Sequence, residues 1–290
     1  MLEKYANFCY DQIGTYTLDY VETFEELRPQ LAKANIEISL PEYLSMMFFS
    51  TLMSFVFSLF VLGIPLTLVS GPSGIIIGLV LSILISAGSL VFFYLYPSVL
   101  KKQRASKIRD TLPFATMYMS TLAGTGTDIS ELFKILSSTG EYGEVSKEAE
   151  KISRDIDNFG MDVSEALERA ADRTPSDDFE ELLWGINHSL TSGGSLRAFL
   201  QERAKTLMND YQRRVESFAE ELSLVVEMYI TVVIVGSIVF TSMSVVMSSF
   251  TNIGGSKIVL IQMAAIFFGL PIISGMFILM VKGMAPGGIR

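Results

Sequence analysis

The chain has little of the chemistry that most enzymes use. Its 290 residues include one cysteine, one histidine and one tryptophan. Cys9 alone cannot form an internal disulfide or a thiolate metal cluster. A single histidine, His188, leaves most metal sites and His-dependent nucleophilic triads incomplete. We therefore expect no enzyme activity, no cofactor and no metal, and we interpret His188, beside Trp184, as packed or partly exposed.

Long stretches also lack charge. No Asp, Glu, Lys or Arg occurs from Leu44 to Leu100, and Glu227 is the one ionisable residue from Leu224 to Phe250. Such runs are long enough to cross a bilayer, and they must be helical because backbone polar groups cannot stay unpaired in lipid. The sequence predicts four transmembrane helices: Leu44–Val69, Ile75–Tyr96, Leu224–Phe250 and Ile258–Val281.

Basic residues flank one end of these predicted spans. The opposite loops hold only Lys257. By the positive-inside rule, residues 97–222 and both termini lie in the cytoplasm of a multi-pass cell-membrane protein. The basic residues that flank the spans on the cytoplasmic side are Lys101, Lys102, Arg104, Lys107, Arg109, Arg213, Arg214 and Lys282.

The polar middle of the chain is predicted to form consecutive helices. We predict them near 98–123, 128–139, 144–158, 162–173, 176–191 and from 195 onward, with no convincing alternating strand. The last of these continues as one long helix into the third span. The predicted fold is all-α, a polytopic membrane protein with a cytoplasmic helical bundle between its second and third spans. Its segments are 1–43 (amphipathic, cytoplasmic), 44–96 (hairpin), 97–222 (six-helix domain), 223–282 (hairpin) and 283–290 (cytoplasmic tail).

Similar helix starts recur inside the bundle. Asp128 with Glu131, and Asp162 with Glu165, have the spacing of a capping box, and Ser195 begins a looser third copy. A glycine precedes each start, at 126, 160 and 194, in steps of 34 residues. A helical solenoid is one interpretation of this spacing. A compact bundle of helical hairpins is the simpler one.

The first forty residues are acidic and amphipathic. They lack the apolar core of a signal peptide. An acidic helix is a poor ligand for an anionic membrane surface, so we expect this segment to pack on the chain's own cytoplasmic domain or on a partner. Acids exceed bases in the whole chain, whose net charge is −9. That balance gives no basis for nucleic-acid binding.

The glycine and proline positions resemble those of a known family, the type II secretion system F domain. The resemblance extends over about residues 30–285. It implies a cytoplasmic six-helix module of a membrane platform protein. The residues that carry it are Leu112-Pro113, Ala123 to Gly126, Gly160, Pro175 and Leu190 to Leu196, with Leu31 to Ile36 and Glu42 to Ser45 similar to the archaeal branch. Archaellum platform proteins usually carry two such modules, whereas this chain carries one. Single-module chains of this size resemble the platforms of tight-adherence pili, which act as a pair of proteins.

The resemblance implies a machine that assembles type IV pilus-like filaments, such as a pilus, an archaellum or a type II secretion system. The implied partners are a cytoplasmic secretion ATPase, pilin-like subunits, the lipid membrane, and a second platform subunit that is either this chain or a paralogue. A small transporter or channel subunit is the alternative, and Glu227 is the residue that favours it. A membrane receptor or scaffold is disfavoured by the short external loops.

Two features have two interpretations each. The basic cluster, Lys101, Lys102, Arg104, Lys107 and Arg109, with Arg213 and Arg214, is a topology signal, and it also suits an acidic face of the ATPase. Glu227 is a functional candidate as an intramembrane carboxylate, or it reaches headgroup water one turn inside the boundary.

Ser192-Gly193-Gly194 lacks the lysine and spacing of a phosphate-binding loop, so we interpret it as a tight interhelical turn.

Overall fold

The computed structural model describes residues 2–17, 21–36, 38–65, 72–250, 263 and 265–284. Every regular element in these ranges is helical, as predicted. The chain divides into two compact units, Met1–Gln201 and Glu202–Arg290. This division differs from the five segments that the sequence suggested, because the first apolar hairpin and most of the bundle belong to one unit.

The first unit begins with three helices. They are α1 (Leu2–Thr17), α2 (Leu27–Lys33) and α3 (Leu40–Ser58), and a π-helical turn, Leu59–Gly63, extends α3. The α3 helix starts where the Ser39 amide donates to the Glu42 carboxylate at 2.9 Å, which pairs a backbone donor that the helix itself leaves free. Residues 66–71, which include the end of the first predicted span, lie outside the described residues.

The fourth helix joins the membrane part of this unit to the bundle. Helix α4 runs without interruption from Pro72 to Ala123, although Pro97 and Pro113 lie inside it. The second predicted span and the first predicted bundle helix are therefore one helix. Its length, 52 residues, is about 78 Å at about 1.5 Å per residue.

Four shorter helices complete the bundle. They are α5 (Ile129–Thr139), α6 (Glu144–Asp157), α7 (Val163–Arg173) and α8 (Asp177–Thr191). Their apolar stripes meet in a core that contains Phe133, Leu136, Ile152, Leu167 and Phe179, all fully buried. These bounds agree with the predicted ones to within a residue or two.

The predicted helix starts are confirmed, and their chemistry differs in detail. Helices α5 and α7 begin directly after Asp128 and Asp162. The Asp162 carboxylate accepts from the Ser164 amide at 2.9 Å, whereas that of Asp128 accepts from the Ser130 hydroxyl at 2.9 Å. The cap therefore satisfies a free amide of α7, while the matching Asp128 contact is between side chains.

Glycines with positive φ precede these starts. Gly126 and Gly160 have φ of 81° and 66°, a region that glycine enters at little cost. In the third copy the positive φ, 70°, belongs to Gly193 and not to the predicted Gly194. Each such glycine then lies two residues before its cap, Asp128, Asp162 or Ser195.

The N-terminal segment packs in two places. Tyr5 and Phe8 on α1 make edge-to-face contacts with Phe49 on α3, and the Thr17 and Ser45 hydroxyls lie 2.9 Å apart. The loop after α2 instead contacts the bundle, where the Asn35 side chain accepts from Lys151. The expected packing on the bundle is thus confirmed for the α2 end, whereas α1 lies on the first apolar helix.

The second unit consists mainly of long apolar helices. Helix α9 (Leu196–Tyr229) starts in the first unit and continues through a π-helical stretch, Ile230–Val235, into α10 (Gly236–Phe250). The predicted long helix is therefore confirmed. A second π-helical turn, Ala265–Gly269, leads into α11 (Leu270–Met284).

Three helical stretches are long and apolar enough to cross a membrane: Leu40–Gly63, Ile76–Ala123 and Leu196–Val246. Within the described residues the fourth predicted span appears as a shorter apolar helix, Phe267–Gly283. Residues 258–262 and 264, where that span was predicted to begin, lie outside the described residues. The three long helices fit a multi-pass membrane protein.

Candidate functional site on the helical bundle

The basic cluster lies on α4, just past the apolar part of that helix. Lys102, Lys107 and Arg109 are exposed, and Lys101 is half-buried. Arg104 differs from its neighbours because its side chain is only 7% exposed. The structure therefore separates one member of the predicted patch from the rest.

Arg104 is held by three groups inside the first unit. Its Nε donates to the Glu144 carboxylate at 2.9 Å, and a terminal nitrogen donates to Glu148. The other terminal nitrogen donates to the Lys33 carbonyl at 3.1 Å. One guanidinium thus joins α4, α6 and the end of α2, because its planar fork can serve several acceptors at once.

Glu148 is the centre of this network and is fully buried. Its oxygens also accept from Lys151 at 3.2 Å and from Arg173 at 3.1 Å. Burial alone would raise the pKa of the carboxyl, but Arg104, Lys151 and Arg173 outweigh burial and lower it. The carboxylate therefore stays ionised inside the bundle.

The network extends to α7 and to the N-terminal segment. Arg173 on α7 also donates to Asp155 at 2.9 Å, and Lys151 donates to the Asn35 side chain. A buried ion pair stabilises little by itself, yet loss of one partner leaves an uncompensated charge. Four segments are consequently held in one relative arrangement.

The sequence of α6 itself carries a signal for this network. Glu144, Glu148, Lys151 and Asp155 follow one another at three- and four-residue steps, so they share a face of α6. Val145, Ala149 and Ile152, all fully buried, lie one residue along from Glu144, Glu148 and Lys151. Charges that border an apolar stripe on a bundle helix indicate a buried or half-buried network.

The remaining predicted polar residues lie on α9. Arg213 pairs with Asp210 three residues earlier, and the Arg214 guanidinium carbon lies 5.9 Å from the centre of the Tyr211 ring. Glu227 is exposed. Two residues on, Tyr229 faces α11, where its hydroxyl lies 3.2 Å from that of Ser274. A two-residue step turns a helix by about 200°, so Glu227 points away from α11.

A groove of about 480 Å³ lies between α9 and α11. Its walls are almost wholly apolar and include Val225, Val226, Phe277 and Ile278, with Lys282 at one end. Pockets of this size and character hold apolar ligands or side chains.

Other predicted features take ordinary structural roles. His188 and Trp184 are exposed on α8. Residues 192–194 form a turn in which the Gly194 amide donates to the Ser189 carbonyl at 3.0 Å, so that prediction is confirmed. Across the described part of the chain, no three or more His, Cys, Asp or Glu side chains are grouped so that they could hold a metal ion.

One family of known proteins matches the middle of the chain. Residues 115–243 match the family of the type II secretion system (T2SS) protein F. The match begins inside α4, includes α5 to α8 and ends in α10. It starts later than the domain predicted at 97–222 and reaches into the third predicted span. No solved structure matches the chain.

Archaeal relatives match a larger part of the chain. An uncharacterized protein of Methanocaldococcus jannaschii is 28% identical over 199 residues, 66% of this chain and 33% of the relative. The flagella accessory protein J of the same organism is 28% identical over 169 residues, 54% of this chain and 30% of the relative. The flagella accessory protein J of Methanococcus voltae is 26% identical over 139 residues, which are 48% of this chain and 25% of the relative. The chain spans about a third or less of the length of these relatives.

Proposed function

Because residues 115–243 of this chain carry the type II secretion system F domain, we propose that the chain is a membrane platform subunit of a machine that assembles type IV pilus-like filaments. The names of the relatives favour an archaellum or an archaeal pilus. One observation supports a mechanical role most directly. The helical path from Leu196 to Phe250 begins at the bundle and continues through an apolar stretch long enough to cross a bilayer.

The proposed topology has four spans, with both termini and residues 97–222 in the cytoplasm. The basic residues that follow the second span and precede the third support this orientation. The five segments of the sequence analysis remain the proposed functional division: an N-terminal segment, two hairpins, the bundle and a short tail.

The proposed partners are a cytoplasmic secretion ATPase, pilin-like subunits and a second platform subunit, either this chain or a paralogue. The ATPase would contact the exposed part of the basic cluster, namely Lys102, Lys107 and Arg109, with half-buried Lys101 beside them. Charge complementarity of this kind sets register and encounter rate. Arg104 is assigned to the internal network, and Arg213, Arg214 and Glu227 stay candidates for contacts of the second unit.

Copurification tests this proposal. We expect the full chain, coexpressed with a secretion ATPase and pilin-like proteins of the same organism, to retain the ATPase through a detergent purification. Lys102→Glu with Lys107→Glu should weaken that retention. Lys134→Glu with Lys205→Glu is the matched control, because these lysines are also exposed and the charge change is equal. Equal loss in both variants, or in neither, would leave the cluster as a topology signal.

Thiol labelling tests the topology. In a Cys9→Ala background, Ser73→Cys and Asn252→Cys should react with an impermeant reagent on intact cells. Ser138→Cys, an exposed position on α5, should react only after the membrane is opened. Labelling of Ser138→Cys on intact cells would contradict the orientation.

A further inference from the structure

A small polar pocket lies among the loop after α2, helix α4 and the start of α6. Its volume is about 200 Å³. The polar side chains that line it are Asn35, Gln103, Arg104, Lys107, Glu144 and Lys147. The pocket is distinct from the apolar groove of the second unit, because most of its exposed lining is polar.

The lining carries excess positive charge. Arg104, Lys107 and Lys147 are cationic, and Glu144 is the one acid among the lining residues. Although burial favours the neutral form of Glu144, hydrogen bonds and charge from Lys147 and Arg104 outweigh it and lower the pKa of the carboxyl. Since Glu144 stays ionised, the net charge of the pocket is about +2 near neutral pH.

The pocket is also a fixed part of the fold. Arg104 is only 7% exposed and is held by Glu144, Glu148 and the Lys33 carbonyl. Lys147 is held by Glu144 at 2.7 Å. Two of the three cations are therefore positioned before any ligand arrives, which lowers the ordering cost of binding.

The pocket lies at a defined depth if the proposed topology is correct. The second span ends at Tyr96, and Leu100 and Gln103 follow it on the same helix. They lie about 6–10 Å beyond the end of the span at about 1.5 Å per residue. The headgroup layer of a bilayer is about 5–8 Å thick on each side. The backbone positions of Arg104 and Lys107 lie about 12 and 16 Å beyond the span by the same rise. Side chains on a helix lean toward its N-terminus, which here is the membrane side, so both cations extend back toward the headgroup layer, where anionic lipids attract basic sites.

We propose that this pocket binds the phosphate of an anionic phospholipid headgroup from the cytoplasmic leaflet. Lys107 and Lys147 provide the exposed cations, and Arg104 forms the fixed base. A pocket of about 200 Å³ can accommodate one phosphodiester group, whereas a folded protein surface would need a larger site. Binding there would fix the junction of α4, α6 and the N-terminal segment to the membrane surface. The assignment rests on the proposed topology.

Lipid selectivity of the full chain provides the test. The purified protein is reconstituted in nanodiscs of phosphatidylcholine with or without phosphatidylglycerol, and bound lipid is measured by native mass spectrometry. We expect wild type to prefer phosphatidylglycerol. Lys107→Gln with Lys147→Gln should reduce the preference about 25-fold, since each cation near a headgroup contributes about fivefold. Lys134→Gln with Lys205→Gln should keep it.

Lys147 pairs with Glu144, so Lys147→Gln also removes an ion pair of the fold. The single variant Lys107→Gln keeps that pair and therefore separates loss of binding from a folding defect. This single variant should lose about fivefold of the preference. An unchanged preference in a folded Lys107→Gln protein would overturn the proposal.

Two further arms identify the ligand. Inorganic phosphate in neutral nanodiscs should give no more thermal stabilisation than chloride at equal ionic strength. A larger shift that the double variant abolishes would assign the pocket to free phosphate and overturn the lipid assignment. If the double variant no longer retains the ATPase but keeps its lipid preference, the pocket is a contact for the ATPase and the lipid assignment is overturned. Carbonate extraction separates the two proposals, since failed insertion contradicts the topology and an inserted protein without lipid preference contradicts only the pocket.

Discussion

The two apolar hairpins of this chain are packed by different means. In the first hairpin, α3 and α4 approach closely at two glycines: a Cβ on Gly78 would lie 2.9 Å from the Gly63 Cα. Ser82 and Ser58 are buried. Small residues let helix backbones come together in lipid, where no hydrophobic effect drives helices together.

The first hairpin is also braced at the end that leads into the bundle. The Tyr43 hydroxyl donates to the Phe93 carbonyl at 2.7 Å, and the Phe24 ring contacts the ring of Tyr94. Helix α4 then continues from this hairpin into the bundle, where Arg104 joins the ion network. Hairpin, N-terminal segment and bundle are tied to one another within the first unit.

Among the described residues, the helices of the second hairpin pack against each other less closely. Its contact centres on Tyr229, whose ring lies 5.2 Å from that of Phe277 and whose hydroxyl meets Ser274. The groove of about 480 Å³ lies beside this contact. In the described residues the first hairpin therefore has the closer contact between helices, and the second has an apolar groove beside its contact. We expect substitutions in the first unit to affect stability, and those in the second to affect assembly.

Loss of the Glu148 charge should have the largest effect on stability. Glu148→Gln removes the negative charge that Arg104 and Arg173 share and replaces one acceptor oxygen with a donor, and breaking a buried pair costs about 3–5 kcal/mol. We expect that decrease in the free energy of unfolding, followed by Trp184 fluorescence in urea. Glu150→Gln is the control, because Glu150 is exposed on the same helix. Equal stability of the two variants would contradict the bracing of the first unit.

The same carboxylate makes stability depend on pH. Its pKa is lower in the folded protein than its ordinary value of 4.5. The stabilisation is therefore fully present above about pH 4.5 and is lost as the pH falls through the lower folded value. Wild type should lose stability below pH 4.5 more steeply than Glu148→Gln. Parallel curves would show that another group is responsible.

Crowding at Gly78 should have the next largest effect. The neighbour of an added Cβ is the Gly63 backbone, which cannot rotate away as a side chain can. Overpacking of this kind costs about 1–3 kcal/mol. Gly78→Ala should lower the thermal unfolding midpoint in detergent. Gly88→Ala, on the same helix with no atom within 4 Å of the added Cβ, should not.

The smallest effect is expected in the second hairpin. Tyr229→Phe removes the hydroxyl contact with Ser274 and keeps the ring on Phe277. Hydrogen bonds between membrane helices contribute about 0.6 kcal/mol on average, so the midpoint should shift by less than in Gly78→Ala. A larger shift in Tyr229→Phe would reverse the comparison of the two hairpins.

Local signals in the sequence predicted the bundle well. Asp128, Asp162 and Ser195 mark helix starts because each is a short polar side chain ahead of an apolar periodic stretch. The third glycine was placed one residue late. Two adjacent glycines, Gly193 and Gly194, offer the same conformational freedom, and in the structure Gly193 adopts the positive φ.

Contacts between distant segments were not predictable in the same way. The run of bases near residue 104 does not reveal that Arg104 turns inward, since its partners Glu144 and Glu148 come some forty residues later. Gly63 and Gly78 were not recognised as a helix contact, because small residues also occur on lipid-facing surfaces. The packing of α1 on α3 depends on aromatic pairs that only the folded chain brings together.

The continuity of α9 is the central claim, and filament assembly with a proline at Ser217 tests it most directly. Ser217 is exposed in the middle of this helix. Ser217→Pro removes a backbone hydrogen bond and clashes with the preceding turn, at about 3 kcal/mol or more. Ser217→Ala keeps the helix. We predict that the proline variant inserts and retains the ATPase yet assembles no filaments, while the alanine variant assembles them normally. Normal filaments from a stably expressed Ser217→Pro protein would contradict the mechanical role of this helix.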